Sequence, residues 1–189
     1  ADIQGLDAGR KMAILASIAF NSRVTFEDVI TQGITHISAK DIRYARELGC
    51  VIKLMGLARN TDSGIEVRVQ PMLVPQDHPL ATVNDSYNAV FVKGDAVGDA
   101  MFYGRGAGEM PTASAIVGDV FDIVRNILFH CTGRISCTCY KSIPVKEAED
   151  IESRFFLRLH VDDRPGVLAG IASVLGNNNV SIAQMNQKH

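Results

Sequence analysis

The chain has no excess of either charge, no apolar run of bilayer length and no segment of repeated or low-complexity sequence. It carries 19 basic and 21 acidic residues, a net charge of -2, with a sequence pI near 6.2. A balance this even gives no electrostatic reason to expect nucleic acid or an anionic membrane as a partner. Apolar stretches such as "MAILASIAF" fall well short of the roughly 20 residues that a membrane span needs. The opening "ADIQGLDAGRK" lacks the basic region and apolar stretch of a signal peptide, so none is expected. It also lacks an initiator methionine, which fits a processed, engineered or fragmentary chain. What remains is ordinary for a globular protein: 47% hydrophobic and 21% charged residues over 189 positions. That length accommodates one good core, or one domain and a smaller second one.

A zinc pattern is missing too. Cys131, Cys137 and Cys139 follow His130 closely, in "HCTGRISCTC". Their C-x5-C-x-C spacing matches none of the usual zinc arrangements, and no metal is expected. Cys137 and Cys139 lie two apart in a run that reads as a strand, which would turn both to one face. They are expected as free thiols, buried or half-buried, in a reducing cytoplasm.

Helical spacing appears in Asp7–Asn21, with Ala8, Met12, Leu15 and Ala19 on one stripe. A second helix is expected in "TFEDVITQGI", where Thr25 and Asp28 resemble a capping box. A third is expected in "SAKDIRYARELG", between Ser38 as N-cap and Gly49 as terminal glycine. Short β-branched or aromatic runs follow: "VIKLMGLARN", "IEVRVQPMLVP", "NAVFVKGD" and "DAMFYG", separated by turn sequences. A long helix is expected from Pro111, then a strand in "GRISCTCYK". The polar, acidic "SIPVKEAEDIES" reads as a boundary. Beyond it, "RFFLRLHV", "VLAGIASVLGNN" and "VSIAQMNQ" read as a βαβ unit. The fold class expected is α+β: a mixed sheet from about Cys50 to Tyr140 covered by helices mainly on one face, then a truncated βαβ unit. In "IEVRVQPML", Glu66, Arg68 and Gln70 alternate with apolar residues, so their face should be partly wet or paired.

The stretch "YGRGAGEMPTAS" sets three glycines before a helix start, where free N–H groups attract phosphate or carboxylate. A tight strand-to-helix turn would need glycine for backbone reasons alone. It is no dinucleotide fingerprint, because the spacing is G-x-G-x-G and no βαβ unit with a ribose-binding acid follows. In "GLDAGRK", Asp7 and Lys11 stand four apart on one helix face. An ordinary surface ion pair there would be worth about 0.3–0.5 kcal/mol.

Together, "ADIQGLDAGRKMAILASIAF" and "NAVFVKGDAVGDAMFYGRGAGEMPTASAIVGDV" strongly resemble homoserine dehydrogenase, over nearly the whole chain. That resemblance implies a catalytic and dimerisation domain at 1–146, incomplete at its start, with the family's N-terminal Rossmann domain absent. It implies Lys11 as proton donor, Asp7 as substrate-binding acid and Asp2 as a second acid near the substrate. It places Gly106 and Gly108, with Gly104, against the nicotinamide end of NAD or NADP. A family glutamate that grips the substrate amino group would lie upstream of Ala1. "LHVDDRPGVLAGIASVLGNNNVSI" resembles the first half of an ACT domain, a ferredoxin-like amino-acid-binding module, at 147–189. Asp163 and Gly166 are its candidate effector contacts, and threonine is the family's usual effector. The implied activity is the NAD(P)-dependent interconversion of L-aspartate 4-semialdehyde and L-homoserine, in a cytoplasmic homodimer, with this chain alone inactive. The alternative is a non-catalytic amino-acid-sensing dimer that carries an ACT-like module.

Overall fold

Helix α1 (Leu6–Phe20) forms where small residues recur at helical spacing, and it buries Gly9, Ala13 and Ala16. Small side chains let a helix lie close to its support. A Cβ at Gly9 would meet the Phe26 ring and Thr31 Oγ1, so the helix seats directly on them. Gly5 before α1 has φ 77° and Asn21 after it φ 56°, which turns the chain sharply at both ends. The computed structural model describes residues 2–131 and 137–187.

The segment from Thr25 onward is not the expected helix. Asp28 does accept hydrogen bonds from the Thr25 N–H (2.7 Å) and hydroxyl (2.9 Å), but only a single turn forms. The chain then enters strand β1 (Ile30–Thr31), and the Gln32 N–H donates to the Val69 carbonyl at 2.7 Å. The β-branched run Val29–Ile30–Thr31 is poorly suited to continue a helix, and a distant strand offers it partners.

Helix α2 (Ala39–Glu47) is capped as its sequence implies: Ser38 and Asp41 form a reciprocal capping box, and Gly49 follows with φ 71°. Strands β2 (Cys50–Thr61) and β3 (Gly64–Pro75) pair antiparallel along their full length, while β1 pairs parallel to β3 on its other side. The order β1-β3-β2 is a mixed sheet, and the architecture is α+β. Ile65, Val67 and Val69 meet Ala13, Ala16, Val24 and Val29 to form the core.

On β3, Glu66 and Arg68 are buried as well. This face, expected to be partly wet or paired and by resemblance to make a homodimer, is covered within one chain at Glu66 and Arg68. Glu66 lies 2.5 Å from Arg59 Nε and 3.0 Å from Arg68 Nε, and Arg68 reaches the Ser153 hydroxyl at 3.1 Å. The end of the stretch read as a boundary supplies that cover, with the Glu152 carbonyl accepting from Arg59 and the Ser153 hydroxyl accepting from Arg68. Its start pairs along the sheet edge. The Ile65 N–H donates to the Pro144 carbonyl (2.8 Å), the Lys146 N–H donates to the Ile65 carbonyl (2.9 Å), and Lys141 pairs with the end of α1.

Strands β4 (Tyr87–Gly94) and β5 (Gly98–Arg105) form a separate two-stranded sheet, where the sequence suggested one sheet running from Cys50 to Tyr140. Their three-residue loop closes through Gly98 at φ 70°, so the hairpin satisfies its own inner edges. Residues 137–140, expected in a last strand, lie in none. The rest of that expectation, residues 132–136, lies outside the described residues. Helix α3 (Glu109–Leu128) follows the hairpin and buries none of its residues.

The chain divides into two compact units, Ala1–Ser153 and Arg154–His189. The second contains α4 (Val167–Asn177), preceded by Gly166 at φ 90°. The flanking segments expected as strands carry no ladder among the described residues. In a split ferredoxin-like βαβ a further strand lies between these two, so they are not each other's hydrogen-bond partners. Among the described residues, no helix is long and apolar enough to cross a membrane.

Candidate active site

Asp7 and Lys11 sit on α1, one helical turn apart, with the carboxylate 2.6 Å from the ammonium. Both remain open to solvent, Lys11 at 64% and Asp7 at 50% of their side-chain surface. The opposite side of the same helix is held by Ala13 and Ala16 in the core. A rigid helix therefore presents a charged pair outward, available to a ligand. Asp2 precedes the helix in a turn closed by its own carbonyl, which accepts from the Gly5 N–H at 3.0 Å. Gly5 is buried against Val69 and Thr31, which ties this entry turn to the sheet.

The glycine loop lies at the far end of the β4–β5 hairpin. Gly104 is the penultimate residue of β5, and a Cβ there would meet nothing within 4 Å. Gly106 is different: a Cβ would run into the Asn88 side chain, so close packing on β4 requires glycine at that position. Gly108 has φ 126° and forms the N-cap of α3, with no side chain capping the helix. The helix start is thus open, but Glu109 stands in its first turn and Pro111 contributes no N–H. A carboxylate there opposes a phosphate and tolerates an uncharged group.

Next to this loop is an aromatic plate that the sequence reading missed. Tyr87 and Tyr103 stack with ring centres 4.9 Å apart and planes within 3°, and the Arg105 guanidinium lies 5.3 Å from the Tyr87 ring. A shallow recess of about 250 Å³ runs along Asn88, Tyr103, Gly104 and Gly106. The signal was the diagonal placement of two tyrosines across a hairpin, visible only once the register Ala89↔Tyr103 is known.

The structure pairs Asp7 with Lys11 and packs α1 against β1, β2 and β3, whereas the glycine loop rests on β4. Asp163 and Gly166, both exposed, belong to the second unit, just before α4. The Asp162–Arg164 ion pair, at 3.1 Å, fixes the turn between them and the preceding segment. Among the described residues, no group of three or more His, Cys, Asp or Glu side chains is arranged to hold a metal ion.

Comparison with known proteins gives these features a setting. The homoserine dehydrogenase family pattern matches residues 1–121 and the ACT domain pattern matches residues 155–189. The chain is 44% identical over 186 residues to a homoserine dehydrogenase of Bacillus subtilis, covering 98% of this chain and 43% of that protein. It is 45% identical over 193 residues to one of Mycobacterium tuberculosis strain H37Rv, covering all of this chain and 44% of that protein. A solved homoserine dehydrogenase from Thiobacillus denitrificans superposes with a TM-score of 0.82 at 39% identity, over 99% of this chain and 44% of that one. The chain thus spans less than half the length of the relatives it matches, and it belongs to the homoserine dehydrogenase family.

Proposed function

We propose that this chain is part of an enzyme that interconverts L-aspartate 4-semialdehyde and L-homoserine with NAD or NADP. Residues 1–146 are its catalytic and dimerisation domain, and 147–189 belong to an amino-acid-binding regulatory domain. The observation that carries this reading is the solvent-facing Asp7–Lys11 pair on a helix whose other side is locked to the sheet. Reduction of an aldehyde leaves a developing alkoxide that needs a proton, and in this reading the Lys11 ammonium gives it. In the oxidative direction the neutral amine takes the hydroxyl proton back. Asp7 holds Nζ in position and offers a carboxylate oxygen to the substrate, and Asp2 adds a second acid on the helix approach.

When bound, the nicotinamide supplies the hydride acceptor or donor. The residues present fit one edge of such a group. Gly104 leaves the backbone open, Gly106 closes the loop on Asn88, and Gly108 leads into an uncapped helix start. Because Glu109 disfavours phosphate there, the edge that suits this loop is the uncharged carboxamide end.

The test is Lys11→Ala in the full-length enzyme. General acid catalysis is typically worth about 10²–10⁴-fold, so kcat should fall by that factor while KM changes far less. A near-normal kcat would return the pair to a surface ion pair. The 189-residue chain alone should show no homoserine oxidation, because positioning both reactants contributes roughly 7–11 kcal/mol and this chain holds only one side of the site. We place the enzyme in the cytoplasm as a homodimer, a state that sedimentation at micromolar concentration checks.

The ACT match favours a second reading, a non-catalytic amino-acid sensor. Asp163 and Gly166 would then receive an effector such as threonine at the start of α4. Calorimetry and an activity assay separate the two: threonine binding by a full-length protein that shows no homoserine turnover favours the sensor.

A further inference from the structure

The cysteine motif that the proposed function leaves unused has a definite setting. Cys137 and Cys139 both line an apolar cleft of about 720 Å³, together with Ala13, Ile14, Val24 and Phe26. Cys137 is exposed and Cys139 half-buried, and all four cysteines of the chain are free thiols. The two thiols are close enough for Cys137 to act on the Cys139 thiol. Burial, followed by the influence of Cys137, raises the Cys139 thiol above its ordinary range, while Arg23 acts in the opposite sense. Arg10 also faces the cleft from α1.

The backbone matters equally. A strand would hold residues two apart at about 6.6–6.8 Å between Cα atoms, at the outer limit for a disulfide. The segment is not a strand. The Tyr140 N–H donates to the Thr138 carbonyl at 2.9 Å, so the chain bends tightly at Cys139. With no ladder holding Cys137 and Cys139 at extended spacing, both thiols open onto the same cleft.

We propose that Cys137 and Cys139 form an oxidisable dithiol site that closes to an intrachain disulfide on reaction with a hydroperoxide. The exposed Cys137 sulfur attacks the peroxide and breaks the O–O bond, giving a sulfenic acid and one water or alcohol. Cys139 then attacks that sulfur as its S–H proton leaves, forming the S–S bond and releasing a second water. Two thiols are oxidised, one peroxide is reduced, and no other reactant is needed. A bridge across so short a loop belongs to the strained, readily reduced class, so thiol reductants should reverse it. Since Cys139 must lose its proton to resolve the intermediate, closure should quicken as pH rises.

Trypsin makes the test direct, because cleavage after Arg134 and Lys141 releases residues 135–141 with both cysteines and without Cys131. The 189-residue chain is treated with hydrogen peroxide, alkylated, digested and weighed. The expected result is a peptide lighter by two hydrogens that refuses alkylation until dithiothreitol is added. The count of free thiols should fall from four to two. Cys131→Ser should leave this unchanged, and Cys139→Ser should leave a sulfenic acid at Cys137 that dimedone traps. A crosslink from 135–141 to the Cys131 peptide would overturn the proposal. So would oxidation of Cys137 to sulfinic acid with no bridged peptide at any time, or both thiols staying free while Cys131 oxidises.

Discussion

Helices α1 and α3 both look, in sequence, like amphipathic core helices, yet only one of them is packed. α1 buries its small residues and leaves Ile14, Leu15 and Ile18 exposed. α3 is longer and has the richer apolar side, with Ile116, Val120, Phe121, Ile123, Val124 and Ile127 on it, and buries nothing. The difference lies in close approach. Gly9, Ala13 and Ala16 let α1 come down onto β3, where Ile65, Val67 and Val69 complete a shared interior. Large apolar side chains give a helix the means to be buried, but only a facing surface buries it. Exposed apolar area of this extent on one helix marks a surface meant for contact. The relatives are more than twice as long as this chain, which leaves ample protein in them to supply such a surface.

The sharpest way to break the packed side of this comparison is at Glu66. Its carboxylate is fully enclosed between Arg59 and Arg68, and Arg68 is itself buried. Glu66→Leu removes the partner and strands the Arg68 charge, which typically costs about 3–5 kcal/mol. Arg59 is half exposed, so its share relaxes into water and adds little. Urea unfolding followed by circular dichroism should show the loss. The double substitution Glu66→Leu with Arg68→Met should recover most of it, because no buried charge remains. A single variant as stable as the parent would mean that this face of β3 is wet.

Next in size is Ala16→Leu, which tests the close approach directly. Ala16 has no exposed surface, and extra methylenes in a filled core usually cost about 1–3 kcal/mol. Thermal unfolding should register it as a lower Tm. Unchanged stability would show that α1 has slack against the sheet and that small residues are not what holds it.

What could be read from the sequence divides along the same line. α2 was legible at both ends because its signals are local: Ser38 and Asp41 cap each other, and Gly49 accepts a positive φ. The residues around Thr25 carried a similar local signal, and one of the box's two hydrogen bonds forms, from the Thr25 N–H to the Asp28 carboxylate. The helix still fails, since the Val69 carbonyl, far along the chain, draws Gln32 into pairing. The burial of Glu66 and Arg68 was ambiguous for a related reason. Alternation says that a face differs in polarity, and only Glu152 and Ser153, brought back over it, say that it is covered. At the candidate site, Asp7 and Lys11 were legible because i,i+4 spacing fixes their contact, whereas the Tyr87–Tyr103 plate depends on hairpin register.

A smaller effect tests the local side alone. Ser38→Ala removes the cap of α2, where its hydroxyl accepts from the Asp41 N–H and its own N–H donates to the Asp41 carboxylate at 2.8 Å. Losing such a cap costs about 1 kcal/mol, and Ser38→Asn should restore most of it. Chemical denaturation resolves a change of that size. Were Ser38→Ala silent, the packing of α2 on β2 would be holding the helix without its cap.

The smallest expected effect is also the one that decides the comparison. Val120 lies mid-way along α3 and is 51% exposed. Val120→Lys in the 189-residue chain replaces a β-branched residue with a better helix former and buries no charge. Its effect on the unfolding free energy should stay within about 0.5 kcal/mol, as for other exposed positions. Solubility should rise, because a charge now interrupts an open apolar stripe. In the longer protein proposed above the same change should cost far more, since a lysine would replace valine in the contact expected to cover this face. If the short chain itself loses more than about 1 kcal/mol, Val120 is packed there too, and α3 differs from α1 only in degree.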